Sequence, residues 1–102
     1  MLFQELHTFT QQAAEHLPDD ELLSLQLHLM DRPAAGDIIP AGRGLRKIRW
    51  GGRGRGKRGG LRIIYYWVTA DDVIILARCY AKNEQENLSA AELKNILRQI
   101  KP

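Results

Sequence analysis

The sequence lacks several features that would place it in whole classes of protein. It has a single cysteine, Cys79, so no disulfide can form within the chain, which favours a reducing compartment such as the cytoplasm. No apolar run approaches the roughly 18 residues that a membrane-spanning helix requires. The opening residues MLFQELHTF lack the basic start and long apolar stretch of a secretory signal. We therefore expect neither membrane insertion nor export.

Acidic residues are missing from one long stretch, residues 42–62, GRGLRKIRWGGRGRGKRGGLR. This stretch holds nine Lys or Arg side chains and eight of the chain's nine glycines. The net charge of +3 therefore hides a strong segregation, because the rest of the chain is acidic overall. A basic patch of this kind is the usual mark of a polyanion-binding surface, although a solvated basic loop has the same composition.

The length and the hydrophobic pattern predict one α+β domain over residues 1–102. The periodicity predicts a short strand in 1–6, helices in 7–17 and 18–31, strands in 45–50, 61–68 and 73–82, and a helix in 88–100. Thr8 or Thr10 is the expected N-cap of the first helix, and Ser89 with Glu92 fits a capping box before the last. We expect a small antiparallel β-sheet, with the N-terminal helices packed on one face and a C-terminal helix.

The glycines match two phosphate-binding patterns, but the predicted secondary structure around them does not support either one. Residues 54–59 match G-x-G-x-x-G and residues 51–57 match G-x-x-x-x-G-K, but both lead into a predicted strand instead of a helix. Arg58 also stands where a P-loop requires Ser or Thr. The three histidines and the cysteine lack the spacing of a zinc site. We therefore expect no nucleotide cofactor and no metal.

Strand alternation predicts that several cations meet at one end of the sheet. Lys47 and Arg49 share a face of one strand, Arg62 opens the next, and Lys82 ends the third. In an antiparallel meander these positions lie side by side when the register is as expected. Such a cluster can stabilise charge on a phosphodiester, and RNA supplies its own nucleophile, the 2′-hydroxyl. A structural role is the alternative for four other side chains: Arg46, Arg53, Arg78 and Tyr80.

The segments GLRKIRW, GRGKRGGLRIIYYW and YAKNEQENLSAAE, with GDIIP before them, resemble toxins of the RelE/ParE superfamily. The resemblance is closest to the HigB-type branch of type II toxin–antitoxin systems, and it covers about residues 18–100. It implies a RelE-like microbial RNase fold and a ribosome-dependent endoribonuclease, or mRNA interferase, that cuts mRNA in the ribosomal A site. It also implies a cognate antitoxin, a helix-turn-helix HigA-type protein through which the complex could bind operator DNA.

Carried onto this sequence, the resemblance implies catalytic roles for Lys47, Arg49, Arg62 and Lys82. It is compatible with RNA binding by a second group of residues: Arg53, Arg55, Lys57, Arg58, Tyr80 and Asn83. Asn83 and Ser89 stand where several members of the superfamily have an arginine and a catalytic tyrosine. The identity of the general acid and base is therefore open.

Two other functions remain open on the sequence. One is a non-catalytic RNA- or DNA-binding module, in which the RGRGKRGG loop only grips phosphates. The other is a gyrase inhibitor of the ParE kind. The complete cationic set on the strands favours the nuclease, because ParE-like toxins are expected to lack it.

Overall fold

A computed structural model describes residues 1–51, 60–85 and 87–100. Within these residues the chain forms three α-helices and five β-strands. Their bounds, in chain order, are β1 Leu2–Glu5, α1 His7–His16, α2 Asp19–Asp31, β2 Asp37–Ile38, β3 Arg46–Trp50, β4 Leu61–Val68, β5 Val73–Ala81 and α3 Ala90–Ile100. The strands make one sheet in the order β1-β5-β4-β3-β2. The predicted α+β class is confirmed.

The sheet is mixed, whereas an antiparallel sheet was predicted. β3, β4 and β5 form the predicted antiparallel meander, and β2 adds to it by pairing antiparallel with β3. The exception is β1, which pairs parallel with β5 from Leu2 opposite Val73 to Glu5 opposite Leu76. The sequence predicted this strand but gave no signal for its partner. β2 lies between α2 and β3, in a segment for which no helix or strand was predicted. We call this segment, residues 32–44 with Pro33, Gly36 and Pro40, the connector.

One face of the sheet packs against α1 and α2. Phe9 and Ala13 of α1, with Leu25 and Leu29 of α2, form an apolar core with alternate residues of the two central strands. Those of β4 are Leu61, Ile63 and Tyr65. The N-terminal helices therefore cover one face, as predicted.

The opposite face packs against α3 through a second, smaller core. Its buried members are Leu45, Ile64, Ala77, Tyr80 and Ile96. Because β4 is covered on both faces, its first five residues are all buried, including one arginine. This is the reason that β4 lacks the polar alternation of a half-exposed strand.

An irregularity in the pairing of β4 with β5 decides which side chains of β5 face α3. Tyr65 pairs with Leu76 but Ile64 pairs with Arg78, so Ala77 is an extra residue in β5. Leu76 therefore belongs to the core under α1 and α2, whereas Arg78 pairs with a residue of the α3 face.

The two predicted helix starts had different outcomes. The capping box of α3 is confirmed, because the Glu92 N–H donates to Ser89 Oγ (3.1 Å) and the Ser89 N–H donates to Glu92 Oε1 (2.9 Å). The N-cap predicted at Thr8 or Thr10 is wrong, because α1 begins directly after Leu6. The Leu6 N–H is held by the Leu76 carbonyl (2.9 Å), so β1 passes into the helix without a linker.

Tyr65 ties the connector before β2 to the sheet. Its hydroxyl donates to the Pro33 carbonyl (2.8 Å) and accepts from the Gly36 N–H (2.8 Å). A side chain at Gly36 would meet the Tyr65 ring at 2.9 Å, so only glycine allows this approach. Burial raises the pKa of the Tyr65 hydroxyl above its ordinary 10.0. The connector is thereby fixed beside β3.

We expect Tyr65→Phe to lower the free energy of unfolding by about 1–3 kcal/mol, because two backbone groups lose their buried partner. Urea denaturation measures this change. Tyr66→Phe is the matched control, since no hydrogen bond joins the Tyr66 hydroxyl to any described residue.

The same variant should differ from the parent at alkaline pH. A hydroxyl whose pKa is raised by folding contributes stability that is complete below pH 10 and is lost as the pH rises through the folded pKa. Tyr65→Phe should therefore show a smaller decline above pH 10 than the parent. Equal stability of Tyr65→Phe and Tyr66→Phe would contradict the anchoring role.

Candidate phosphodiester site

Four cationic side chains border one open depression at the end of the sheet. Lys47 and Arg49 come from β3, Arg62 comes from β4, and Lys82 directly follows β5. The depression has a volume of about 520 Å³. Its remaining walls are Ala35, Asp37 and Ile48. The predicted convergence of the four cations is confirmed.

The strand register accounts for this convergence. Arg49 lies directly opposite Arg62 in the β3–β4 pair, and Lys47 lies opposite Ile64, two residues further along the same face. Arg62 in turn lies opposite Tyr80 in the β4–β5 pair. Like charges directly opposite each other across a sheet destabilise it. The fold therefore holds its cations in an arrangement that favours an anion between them.

Arg62 is the most constrained of the four. The residue is 8% exposed, and its Nη1 atom is buried without a hydrogen-bond partner among residues 1–51, 60–85 and 87–100. No carboxylate from these same ranges lies within ion-pair distance of it. A buried guanidinium without a counter-ion is costly. The apolar cores on both faces of β4 keep it in place without a counter-ion among the described residues.

Lys47 is positioned by a residue that the sequence did not indicate. Its Nζ donates to Asn87 Oδ1 (3.2 Å), which lies in the loop before α3. Asp37 of β2 lies opposite Lys47 in the sheet and is the carboxylate in the wall of the depression. In the sequence, Asp37 stood out only as part of the GDIIP segment, because a two-residue strand leaves no periodic signal.

Tyr80 lies beside Arg62 with its ring in the core under α3. The residue is 3% exposed, and its hydroxyl has no hydrogen-bond partner in the described part of the chain. Burial raises the pKa of this hydroxyl; Arg62 acts in the opposite direction and Glu92 in the same direction. The hydroxyl is thus a protonated donor at neutral pH. The buried ring offers no free face on which a base could stack.

Two arginines of these strands have structural roles. Arg78 is buried, its Nη1 donates to the Ala77 carbonyl (2.7 Å), and burial lowers its pKa. Arg46 donates from Nη1 to the carbonyls of Gly36 (2.8 Å) and Ala34 (3.2 Å). Both agree with the structural alternative and leave the four cations of the depression as a separate group.

Of the remaining predicted site residues, only Asn83 belongs to the described part of the chain. Asn83 is exposed in the turn after β5 and is not part of the wall of the depression. The predicted RNA-binding cations of the basic loop lie outside the described residues: Arg53, Arg55, Lys57 and Arg58.

The chain matches no known protein-family model. In the three described ranges, no group of three His, Cys, Asp or Glu side chains is arranged to hold a metal ion. The helices of those ranges are too short or too polar to cross a lipid bilayer.

We expect Arg49→Gln to raise the free energy of unfolding by about 0.2–1 kcal/mol, because it removes the like charge opposite Arg62. The gain should shrink as salt is added, since screening weakens the repulsion. Denaturation in low and high salt measures both effects.

Lys94→Gln provides the control for this change, since Lys94 is exposed on α3 and is not in the wall of the depression. If Arg49→Gln were no more stable than Lys94→Gln at low salt, repulsion between Arg49 and Arg62 would not lower the free energy of unfolding, which would contradict this prediction.

Proposed function

We propose that the chain is a ribosome-dependent endoribonuclease, an mRNA interferase that acts in the cytoplasm as the toxin of a type II toxin–antitoxin system. The observation that carries the proposal is the depression in which buried Arg62, without a counter-ion among the described residues, faces Arg49 and is flanked by Lys47 and Lys82. The resemblance of the chain to the HigB-type branch supports the ribosome as the place where the mRNA is cleaved.

The arrangement suits cleavage of RNA by its own 2′-hydroxyl. Attack of this oxygen on the adjacent phosphorus breaks the bond to the 5′-oxygen and leaves a 2′,3′-cyclic phosphate. The proton of the 2′-hydroxyl must leave, and the departing 5′-oxygen must gain one. Negative charge develops on the non-bridging oxygens, where fixed cations lower the barrier because they need no reorganisation.

The four cations divide into two pairs by position. Arg49 and Arg62 lie opposite each other, so a phosphate between them can be contacted from two strands. Lys47 and Lys82 border the same depression and are more exposed than Arg62, so they can contact the flanking backbone. The groups assigned to proton transfer are Asp37 and Lys47, which lie opposite each other in the sheet.

The open shape of the depression suits a polymer. Its walls come from strands, the turn after β5 and the connector, and it lies open at the surface, which suits a chain that lies across it. The nine cations of residues 42–62 add long-range attraction for a nucleic acid, and this attraction falls steeply with salt. These features favour RNA held along its backbone over a small enclosed substrate.

Arg62→Ala should lower the rate of mRNA cleavage on programmed ribosomes by about 10²-fold or more, the usual effect of removing one preorganised donor. Primer extension on the mRNA measures the cuts, and co-sedimentation measures ribosome binding, which should persist. Lys94→Ala is the control and should cut at the parental rate.

The competing functions give different results in the same assay. A non-catalytic binding module would leave the mRNA uncut by the parent and lose ribosome binding in the variant. A gyrase inhibitor would damage DNA while the mRNA stays intact. Parental cleavage by Arg62→Ala would contradict the proposed role of the depression.

The proposal includes an antitoxin that offsets the basic stretch, encoded by a neighbouring reading frame. Bound at about 100 times its Kd, such a partner stabilises the chain by about 2.7 kcal/mol. We therefore expect a higher melting temperature for the complex than for the free chain, with a difference that falls as salt rises. Equal melting temperatures for the two would contradict this.

A further inference from the structure

A second depression adjoins the cationic one and has a different character. It has a volume of about 300 Å³, at the lower end of the range of about 300–1,000 Å³ for small-molecule sites. Asp37 and Lys47 belong to the walls of both depressions, so the two lie side by side. Much of the second wall is aliphatic, and these residues come from the connector, β4 and the loop before α3: Ile39, Pro40, Ile64 and Leu88.

Two polar side chains in this wall have hydrogen-bonding capacity left over. Tyr80 carries a protonated hydroxyl that is buried without a partner in the described ranges. Asn87 uses its Oδ1 atom to accept from Lys47, which leaves its amide N–H groups for another acceptor. A buried hydroxyl of this kind is costly unless an occupant completes its hydrogen bond.

We propose that this second pocket binds a nucleobase whose attached phosphate lies in the cationic depression. The aliphatic walls suit the faces of a planar, uncharged ring. The Tyr80 hydroxyl and the Asn87 amide suit the acceptor atoms at its edge. Lys47 lies at the junction, where base and phosphate meet.

This inference deepens the proposed function, because it adds recognition of a base next to the cleaved phosphodiester. The chemistry is shared by an RNA strand and by a free nucleotide. The geometry alone supports a nucleotide-shaped ligand, so its test does not require cleavage.

The test compares ligands that differ only in the base. NMR titration of the full chain with the four nucleoside 5′-monophosphates, and with ribose 5-phosphate, gives the contribution of each base. We expect at least one nucleotide to bind about tenfold more tightly than ribose 5-phosphate. Equal affinity of all four nucleotides and ribose 5-phosphate would overturn the proposal.

Two variants locate the added affinity. Leu88→Trp fills the pocket and should bring the nucleotides down to the affinity of ribose 5-phosphate, whose own binding should not change. Tyr80→Phe keeps the ring and should weaken the preferred nucleotide by roughly two- to tenfold. It should melt no lower than the parent, because the hydroxyl it removes has no partner in the described structure.

Tyr66→Phe is the matched control for Tyr80→Phe. This substitution also removes a tyrosine hydroxyl. Tyr66 packs against the same core under α3 but lies outside the walls of both depressions. Nucleotide affinity that is reduced equally in both variants, or in neither, would contradict a role for the Tyr80 hydroxyl.

A dinucleoside phosphate that lacks the attacking 2′-hydroxyl distinguishes the two sources of the base. Competition between it and the preferred mononucleotide supports a base within RNA. Binding of the mononucleotide alone supports the pocket and counts against the endoribonuclease. Conversely, Leu88→Trp and Tyr80→Phe could both cleave mRNA on the ribosome with the site preference of the parent. That result supports the endoribonuclease and overturns the base-binding pocket.

Discussion

The candidate site depends on a buried strand, β4, whose packing holds like charges together at one end of the sheet. Arg49 and Arg62 face each other across β3 and β4, and no described carboxylate lies within ion-pair distance of either. A loosely packed sheet would relieve this repulsion by splaying apart. Here β4 packs against α1 and α2 on one face and against α3 on the other, so Arg62 cannot move away from Arg49. Burial of apolar surface thus sustains an electrostatic arrangement that is unfavourable without an anion.

The cationic end of the sheet and the neighbouring pocket are built from segments far apart in sequence. Tyr65 fixes the connector through Pro33 and Gly36, and the connector delivers Asp37 opposite Lys47. The loop before α3 delivers Asn87 to the same lysine. The sheet and these hydrogen bonds therefore position the site's side chains, which suits a reaction that relies on preorganised charges.

Much of this architecture could be predicted from the sequence because it follows local patterns. The long apolar runs predicted β4 and β5, and alternation placed Lys47, Arg49 and Arg62 on one face. The parallel partner of β1, the two-residue β2 and the extra residue at Ala77 were missed. Each depends on contacts between distant segments or on one or two residues, which leave no periodic signal. Asp37 and Asn87 were missed as site residues for the same reason.

The most direct test of the candidate site is whether a phosphodiester binds to Arg62. Guanidinium resonances of the uniformly ¹⁵N-labelled chain can be followed while a dinucleoside phosphate without the attacking 2′-hydroxyl is added. We predict saturable shifts of the Arg62 and Arg49 side-chain resonances that weaken as salt is added, and no shift of Arg98 on α3. Shifts of similar size at all three arginines, or none at Arg62, would contradict binding at this site.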